Sequence, residues 1–273
     1  MVCLRQIKPK MVMSKRVLGI VQARTSSTRL PGKVLMPILG RPMLALQLER
    51  LRRSKCLTDL VVATSNDASD DALAELCARE GVKVFRGNLS DVLDRFVKAA
   101  RPYAPDVVVR LTGDCPLADP DLIDAVVTEF LQSDLDYLSN CDPASFPDGL
   151  DVEIMKFSAL ELANVEAVLP SHREHVTPFV RRQPDRFRVG NHLSAVDRSA
   201  MRWTVDEPED FELVRQIYER LYPGNPDFST EDILGLLEKE PTLQQINTRF
   251  ERNEGSKKSM AADAQYLAKN THV

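Results

Sequence analysis

The chain has 273 residues, 43% hydrophobic and 28% charged, with a net charge of −4. An α/β fold reaches about 200–250 residues as one domain, so the length predicts one main domain with small appendages and a core that needs no staples. The mild acidity excludes a general nucleic-acid binder, and no apolar run approaches the roughly 18–20 residues that span a bilayer. The five cysteines, without a CxxC pair, fit reduced thiols in a cytoplasmic protein better than a disulfide frame or a zinc site.

Taken in chain order, residues 1–15 read as an extension. Val17–Ala23 (VLGIVQA) is a short apolar run closed by charge and predicts a buried parallel strand. The polar stretch Arg24–Lys33 follows, then a turn over Leu39–Met43, with Pro42 placed to open a helix that runs to Arg53. The alternation then repeats: a strand over Asp59–Thr64, a helix over Ser69–Glu80, a strand over Val82–Phe85, and a helix over Ser90–Arg101 with Ser90 as its N-cap. A strand over Asp106–Leu111 and a helix over Pro120–Leu131 complete it. Single helices between strands, joined by short links, mean right-handed βαβ units and a mainly parallel sheet.

After Tyr137 the rhythm changes. Cys141–Gly149, rich in Pro, Asp and Gly, is a loop; Val152–Phe157 is strand-like; Ser158–Ala167 and Ser171–Arg182 are helical. Phe187–Asn191 and Met201–Val205 read as further strands, and Glu209–Leu221 and Thr230–Glu238 as helices. From Glu251 onward the chain is polar and is expected to be a frayed tail.

Parallel sheets bind ligands at the carboxyl ends of their strands, and three polar segments fall there. In Arg24-Thr-Ser-Ser-Thr-Arg29-Leu-Pro-Gly-Lys33, three cations, several hydroxyls and a glycine follow the first strand, which is what a polyphosphate needs. This is not a Walker loop, which would have Gly at Ser27 and Ser or Thr at Val34, and no G-x-G-x-x-G is present. In the second, Leu111-Thr-Gly-Asp114-Cys-Pro-Leu-Ala-Asp119-Pro, Asp114 stands just beyond a buried strand, where a carboxylate can hold Mg²⁺ on phosphate oxygens. Asp119, before Pro120, reads as a helix cap. The third is Met201–Asp210: Glu207, Glu209 and Asp210 complement a helix dipole, and Asp206 ends the strand as a second candidate metal carboxylate. Phe146–Glu153 places acids on either side of a turn. His172 and His175 stand three apart beside Arg173 and Thr177, a pattern that suits a polar pocket wall better than zinc.

These motifs resemble the cytidylyltransferases that activate acidic sugars, such as the acylneuraminate and 3-deoxy-manno-octulosonate enzymes. The nearest branch is that of spore coat polysaccharide biosynthesis protein SpsF. The resemblance rests on Ala23-Arg24-x-x-Ser27-x-Arg29-Leu-Pro-Gly-Lys33-x-Leu, Arg110-Leu-Thr-Gly-Asp-Cys-Pro-Leu, Pro147-Asp-Gly-Leu-Asp-Val-Glu, Arg173-Glu-His-Val-Thr-Pro and Thr204-Val-Asp, in the expected order across about residues 17–250. It implies a three-layer α/β/α nucleotide-diphospho-sugar transferase-like fold over residues 16–250, with a small dimerising insertion at about 138–200 and a homodimer. It also implies transfer of CMP from CTP to an acidic sugar, with Mg²⁺ or Mn²⁺ as cofactor. Carried over by motif, Ala23, Arg24, Ser27, Arg29 and Lys33 would hold the triphosphate, and Asp91 and Arg95 would contact the nucleotide. Asp114 and Asp206 would bind the metal and, with Arg24 and Lys33, act in catalysis. Asp148, Asp151, Glu153, Arg173 and His175 would face the acceptor. The runner-up functions are a cytidylyltransferase for a non-sugar such as a phosphonate, a glycosyltransferase using Asp134-x-Asp136, and a non-catalytic binding module.

Overall fold

The structure, a computed structural model, describes residues 15–250, Arg252 and residues 263–269. Its centre is a seven-stranded sheet in the order β5-β4-β1-β6-β8-β7-β9. The strands are β1 (Val17–Gln22), β4 (Asp59–Ser65), β5 (Lys83–Gly87), β6 (Val107–Thr112), β7 (Tyr137–Ser139), β8 (Glu153–Lys156) and β9 (Val189–Asn191); β2 (Pro37–Ile38) and β3 (Arg41–Pro42) form a separate small hairpin. In this sheet β5, β4, β1 and β6 run parallel, β8 runs against them, and β7 and β9 resume the first direction.

Strand alternation sorts the core onto two faces. In β1, Val17 and Val21 face one side, under α1 (Met43–Leu51), α2 (Asp71–Arg79) and α4 (Pro120–Gln132). Leu18 and Ile20 face the other, under α3 (Val92–Ala100), α5 (Phe157–Glu166) and α7 (Pro178–Arg181). These are the three expected layers. A third cluster joins Met43 and Leu46 to α8 (Pro208–Leu221) and α9 (Thr230–Lys239) around the fully buried Trp203. No helix among the described residues is long and apolar enough to cross a membrane.

Several elements differ from the sequence reading. The helix expected over Ser171–Arg182 is two short ones, α6 (Pro170–His175) and α7, because Val176 turns at φ 71 and Pro178 has no N–H to continue the ladder. Met201–Val205 is not a sheet strand: it is extended, but it makes one bridge, Arg202 to Asp148. Tyr137–Ser139 is a strand that the sequence reading missed. The stretch of about 138–200 is not set apart from the sheet, since it supplies β8, β9 and most of β7. Lys15 is pinned to Asp106 at 3.3 Å, while residues 1–14 lie outside the described residues. In the presumed tail, Arg252 packs against the main domain and 263–269 is helical, with Asp263 accepting from the Ser171 N–H at 2.9 Å. The rest of 251–273 lies outside the described residues.

The chain crosses the sheet between β1 and β6: β1 is followed outward by β4, and β5 leads back to β6 on the other side. At such a switch point the carboxyl ends of neighbouring strands open a crevice. The loops there approach closely, since a Cβ on Gly113 would stand 2.8 Å from the Ala23 Cβ.

Candidate active site

The crevice holds two connected cavities. The larger, about 920 Å³, receives Ala23, Arg24, Ser27, Arg29 and Lys33 from the loop after β1, Asp91 and Arg95 from the start of α3, and Arg173 from α6. The smaller, about 450 Å³, receives Asp148, Asp151 and Glu153 together with Thr177, Arg181 and Arg202. Arg29, Arg110, Asp114, His175 and Asp206 line both and form the wall between them. Every site residue expected from the sequence therefore lines this crevice, although Arg173, expected at the acceptor, lies on the larger side.

The loop after β1 closes on itself through Thr25, whose carbonyl accepts from the N–H groups of Ser27 at 2.9 Å and Gly32 at 2.8 Å. It delivers Lys33 into the interior, only 7% exposed, rather than to the surface. The ammonium donates to Asp206 at 2.8 Å, to the Val205 carbonyl at 2.6 Å and to Asp114 at 3.4 Å. Arg29 binds the other Asp206 oxygen at 2.7 Å, with Arg202 at 3.5 Å. The two carboxylates thus converge on Lys33. Burial opposes the charge of Lys33, but Asp114 and Asp206 outweigh it and raise its pKa; burial likewise opposes ionisation of Asp114, and Lys33 and Thr112 reverse the effect and lower it.

Asp206 is aimed by the segment before α8. Val205 donates to the Asp114 carbonyl at 2.7 Å, which ties the two carboxylate-bearing loops together. Behind it, Asp210 is fully buried, accepts from both Arg202 nitrogens at 2.9 Å, and caps the helix through the Asp206 and Glu207 N–H groups at 3.0 Å. Glu207 and Asp210 form a reciprocal capping box, as expected of helix-opening acids, and Glu209 pairs with Arg249 outside the cavity.

The smaller cavity is built differently from the sequence reading. Glu153 does not offer its carboxylate to the cavity alone: it accepts from Tyr137 at 2.6 Å and Thr177 at 2.7 Å, and pairs with Arg110. It is a positioning group, held ionised because Arg110 outweighs burial. Asp148 bonds Arg202 at 3.1 Å, and Gly149 follows at φ 111, where a Cβ would meet the Thr204 nitrogen at 2.5 Å. Burial raises Asp148, and it pushes Asp151 up to about 7 despite the pairing with Arg252. His175 is lowered by burial, which keeps the ring neutral near pH 7. Arg173 is a strut, bonding Asp91 at 2.5 Å and the Asn164 side chain at 2.9 Å. Arg95 is 1% exposed, its Nε has no partner among the described residues, and burial and then Arg24 push it down to about 10.

Arg110, Arg202 and Arg252 were missing from the expected set. Arg110 and Arg202 carry a legible signal, a cation inside an apolar run, which a folded chain tolerates only when it is paired. Asp134 and Asp136 do not line either cavity; Asp136 binds Lys156 at 2.7 Å and both acids hold Arg188, which removes the basis for the glycosyltransferase reading.

Comparison with known proteins agrees with this geometry. Residues 18–254 match the family model for cytidylyltransferases. The chain belongs to the cytidylyltransferase family. Within this family it is 37% identical to the spore coat polysaccharide biosynthesis protein SpsF of Bacillus subtilis, over 82% of this chain and 95% of that one. A cytidylyltransferase structure from Leptospira borgpetersenii superposes with a TM-score of 0.82 at 36% identity, covering 87% of this chain and all of its own. The 3-deoxy-manno-octulosonate cytidylyltransferase of Zea mays is 39% identical over 41% of this chain and 38% of its own length.

Proposed function

We propose that this cytidylyltransferase transfers CMP from CTP to an acidic sugar of the nonulosonic-acid type and releases pyrophosphate, for surface polysaccharide or glycan synthesis. The observation that carries the reading is the shared wall: Arg29 of the cation-rich loop and the carboxylates Asp114 and Asp206 stand between a nucleotide-sized cavity, lined by the rest of that loop, and a smaller cavity that suits an acceptor. The Zea mays relative, a 3-deoxy-manno-octulosonate cytidylyltransferase, supports an acidic sugar as acceptor, and the SpsF relative supports polysaccharide synthesis.

In this reading the acceptor hydroxyl oxygen attacks the α-phosphorus, the bond from that phosphorus to the bridging oxygen breaks, and pyrophosphate leaves. Arg24, Arg29 and Lys33 stabilise the charge that grows on the phosphate oxygens, and they are positioned before the reaction begins. Asp151, poised near neutrality, has the property required of a group that takes the hydroxyl proton. Asp114 and Asp206 suit Mg²⁺: they are two oxygen donors converging beside the phosphate loop, and Mg²⁺ takes one or two carboxylates plus phosphate oxygens. When bound there, the metal would neutralise phosphate charge and orient the triphosphate. The family resemblance also supports a cytoplasmic homodimer, which light scattering at twice the chain mass would check.

The test is pyrophosphate release from CTP and Mg²⁺ with a panel of nonulosonic acids, 3-deoxy-manno-octulosonate and phosphonates. Turnover with an acidic sugar, and a preference for CTP over UTP, ATP and GTP in competition, are expected. A preference for UTP or GTP refutes cytidylyl transfer, and turnover confined to phosphonates refutes the sugar.

A further inference from the structure

Asp70 ends the short 3₁₀ turn Ala68–Asp70 that follows β4, is fully buried, and lines neither cavity. Its carboxylate is held by donors rather than by a salt bridge. One oxygen, Oδ1, accepts the Thr25 N–H at 2.7 Å and shares the Thr25 hydroxyl with the Ser69 carbonyl, each at 2.8 Å. The other, Oδ2, faces the Thr64 hydroxyl at 2.9 Å, the Ser65 N–H at 3.1 Å and the Ser65 hydroxyl at 2.5 Å. Burial alone would push this acid up, and these donors reverse the effect and hold it ionised.

An anion beneath a phosphate loop is electrostatically unfavourable for the ligand, so its retention there needs a compensating role. Its contacts supply one. Oδ2 is fixed to the rigid end of β4, and Oδ1 grips Thr25, on whose carbonyl the loop closes through Ser27 and Gly32. The chain between these bonds carries Arg29, and Lys33 follows directly. A cation shifted by about 1 Å loses much of its value to a transition state.

We propose that Asp70 is a positioning residue for nucleotide binding, anchoring the phosphate loop through Thr25 so that Arg29 and Lys33 are placed before CTP arrives. The inference rests on the reading of the larger cavity as a CTP site. A merely structural role would make all donors to Asp70 equivalent, whereas positioning makes the loop donor special.

The experiment compares Thr25→Val, Thr25→Ser, Thr64→Val and Asp70→Asn in the full chain, reading melting temperature, CTP affinity by calorimetry with Mg²⁺, and amide exchange of residues 24–33. Thr25→Val should weaken CTP binding on the order of tenfold and speed exchange in the loop, because it removes one hydrogen bond to a charged acceptor. Thr25→Ser should restore affinity to within about threefold, since it returns the hydroxyl. Thr64→Val should lower the melting temperature at least as much and yet keep CTP affinity within about twofold, since it touches only the strand side. Asp70→Asn should behave as Thr25→Val or worse. Wild-type binding with affinity and loop exchange unchanged in Thr25→Val overturns the anchor alone, as does an equal loss in Thr64→Val. No saturable CTP binding by wild type overturns the nucleotide site and the anchor with it.

Discussion

Replacing Lys33 by Met tests the central wall. The ammonium contacts Asp206 at 2.8 Å and Asp114 at 3.4 Å, and the side chain is 8% exposed. Breaking a fully buried pair by removing one partner costs about 3–5 kcal/mol. Here Asp114 keeps 30% side-chain exposure and Asp206 keeps Arg29 and Arg202, so about 2 kcal/mol is expected, or a fall of about 4–8 °C in Tm. Turnover should drop on the order of 10²-fold, since a preorganised charge contact is lost. The pH dependence has a definite sign. Lys33 is raised and Asp114 lowered, so the pair is intact from above the acidic range to well past neutrality, and its stability is lost as pH falls through the Asp114 value. In the variant, Asp114 has lost its main stabilising partner, so protonation relieves it, and the gap to wild type should narrow toward pH 4. Thermal melts from pH 4 to 9 with a pyrophosphate-release assay would show this. A variant with wild-type Tm across that range, or a gap that widens in acid, refutes the reasoning.

Chelation by EDTA should abolish activity and excess Mg²⁺ or Mn²⁺ restore it, while Asp114→Asn and Asp206→Asn should each lose most turnover; Glu209→Gln should be mild, because a first-turn acid on the dipole contributes only about 0.3–1 kcal/mol. Asp206→Asn with normal turnover at limiting metal, alongside a dead Glu209→Gln, would show that the ligand is misassigned. Asp151 is raised to about 7, so its ionised form is disfavoured in the fold, and a step that needs the carboxylate should gain rate as pH rises through about 7. This limb in kcat/KM should vanish in Asp151→Asn, and its survival there would assign it to another group. Gly149→Ala should destabilise by at least about 2 kcal/mol in denaturant melts, because φ is 111 and the new Cβ meets the Thr204 nitrogen at 2.5 Å; a neutral effect would mean that the turn relaxes.

What the sequence carried and what it withheld divide along range of interaction. The apolar runs of β1, β4 and β6 and the helices between them are local patterns, and they were legible with their order. The strand-end rule placed Asp114 at the crevice without coordinates; Asp206 lines it too, although the segment before it, read as a strand, makes only one bridge. Lys33 shows the limit: in a polar loop it reads as a phosphate-binding cation, and its burial follows only from the approach of two segments 81 and 173 residues away. Glu153 and Arg173 were expected to face the acceptor; both line the crevice, Arg173 on its larger side, and their partners Tyr137, Thr177 and Asp91 are fixed by tertiary packing that no local pattern carries. Arg252 stood in what reads as a polar tail, and its contact with Asp151 spans 101 residues. The break at Val176 was half visible, since Pro178 forbids a continuous ladder, whereas the positive φ of Val176 has no sequence signal.

The wide separation of Lys33 from Asp206 also bears on synthesis. A chain made from its N-terminus, at roughly 5–20 residues per second, presents Lys33 about 9–35 s before the Asp206 carboxylate exists to receive it. The four contiguous parallel strands β5, β4, β1 and β6 have all been made by Thr112, so part of the sheet can assemble on a nascent chain whose wall between the two cavities is still open. Closure waits for the extended segment before α8, which brings Trp203 into the third core cluster as it brings Asp206 to Lys33. A buried core residue and the last of the cavity-lining residues arrive on the same short segment, so a fragment ending before it holds the loop after β1 and most of a sheet but no completed wall between the cavities.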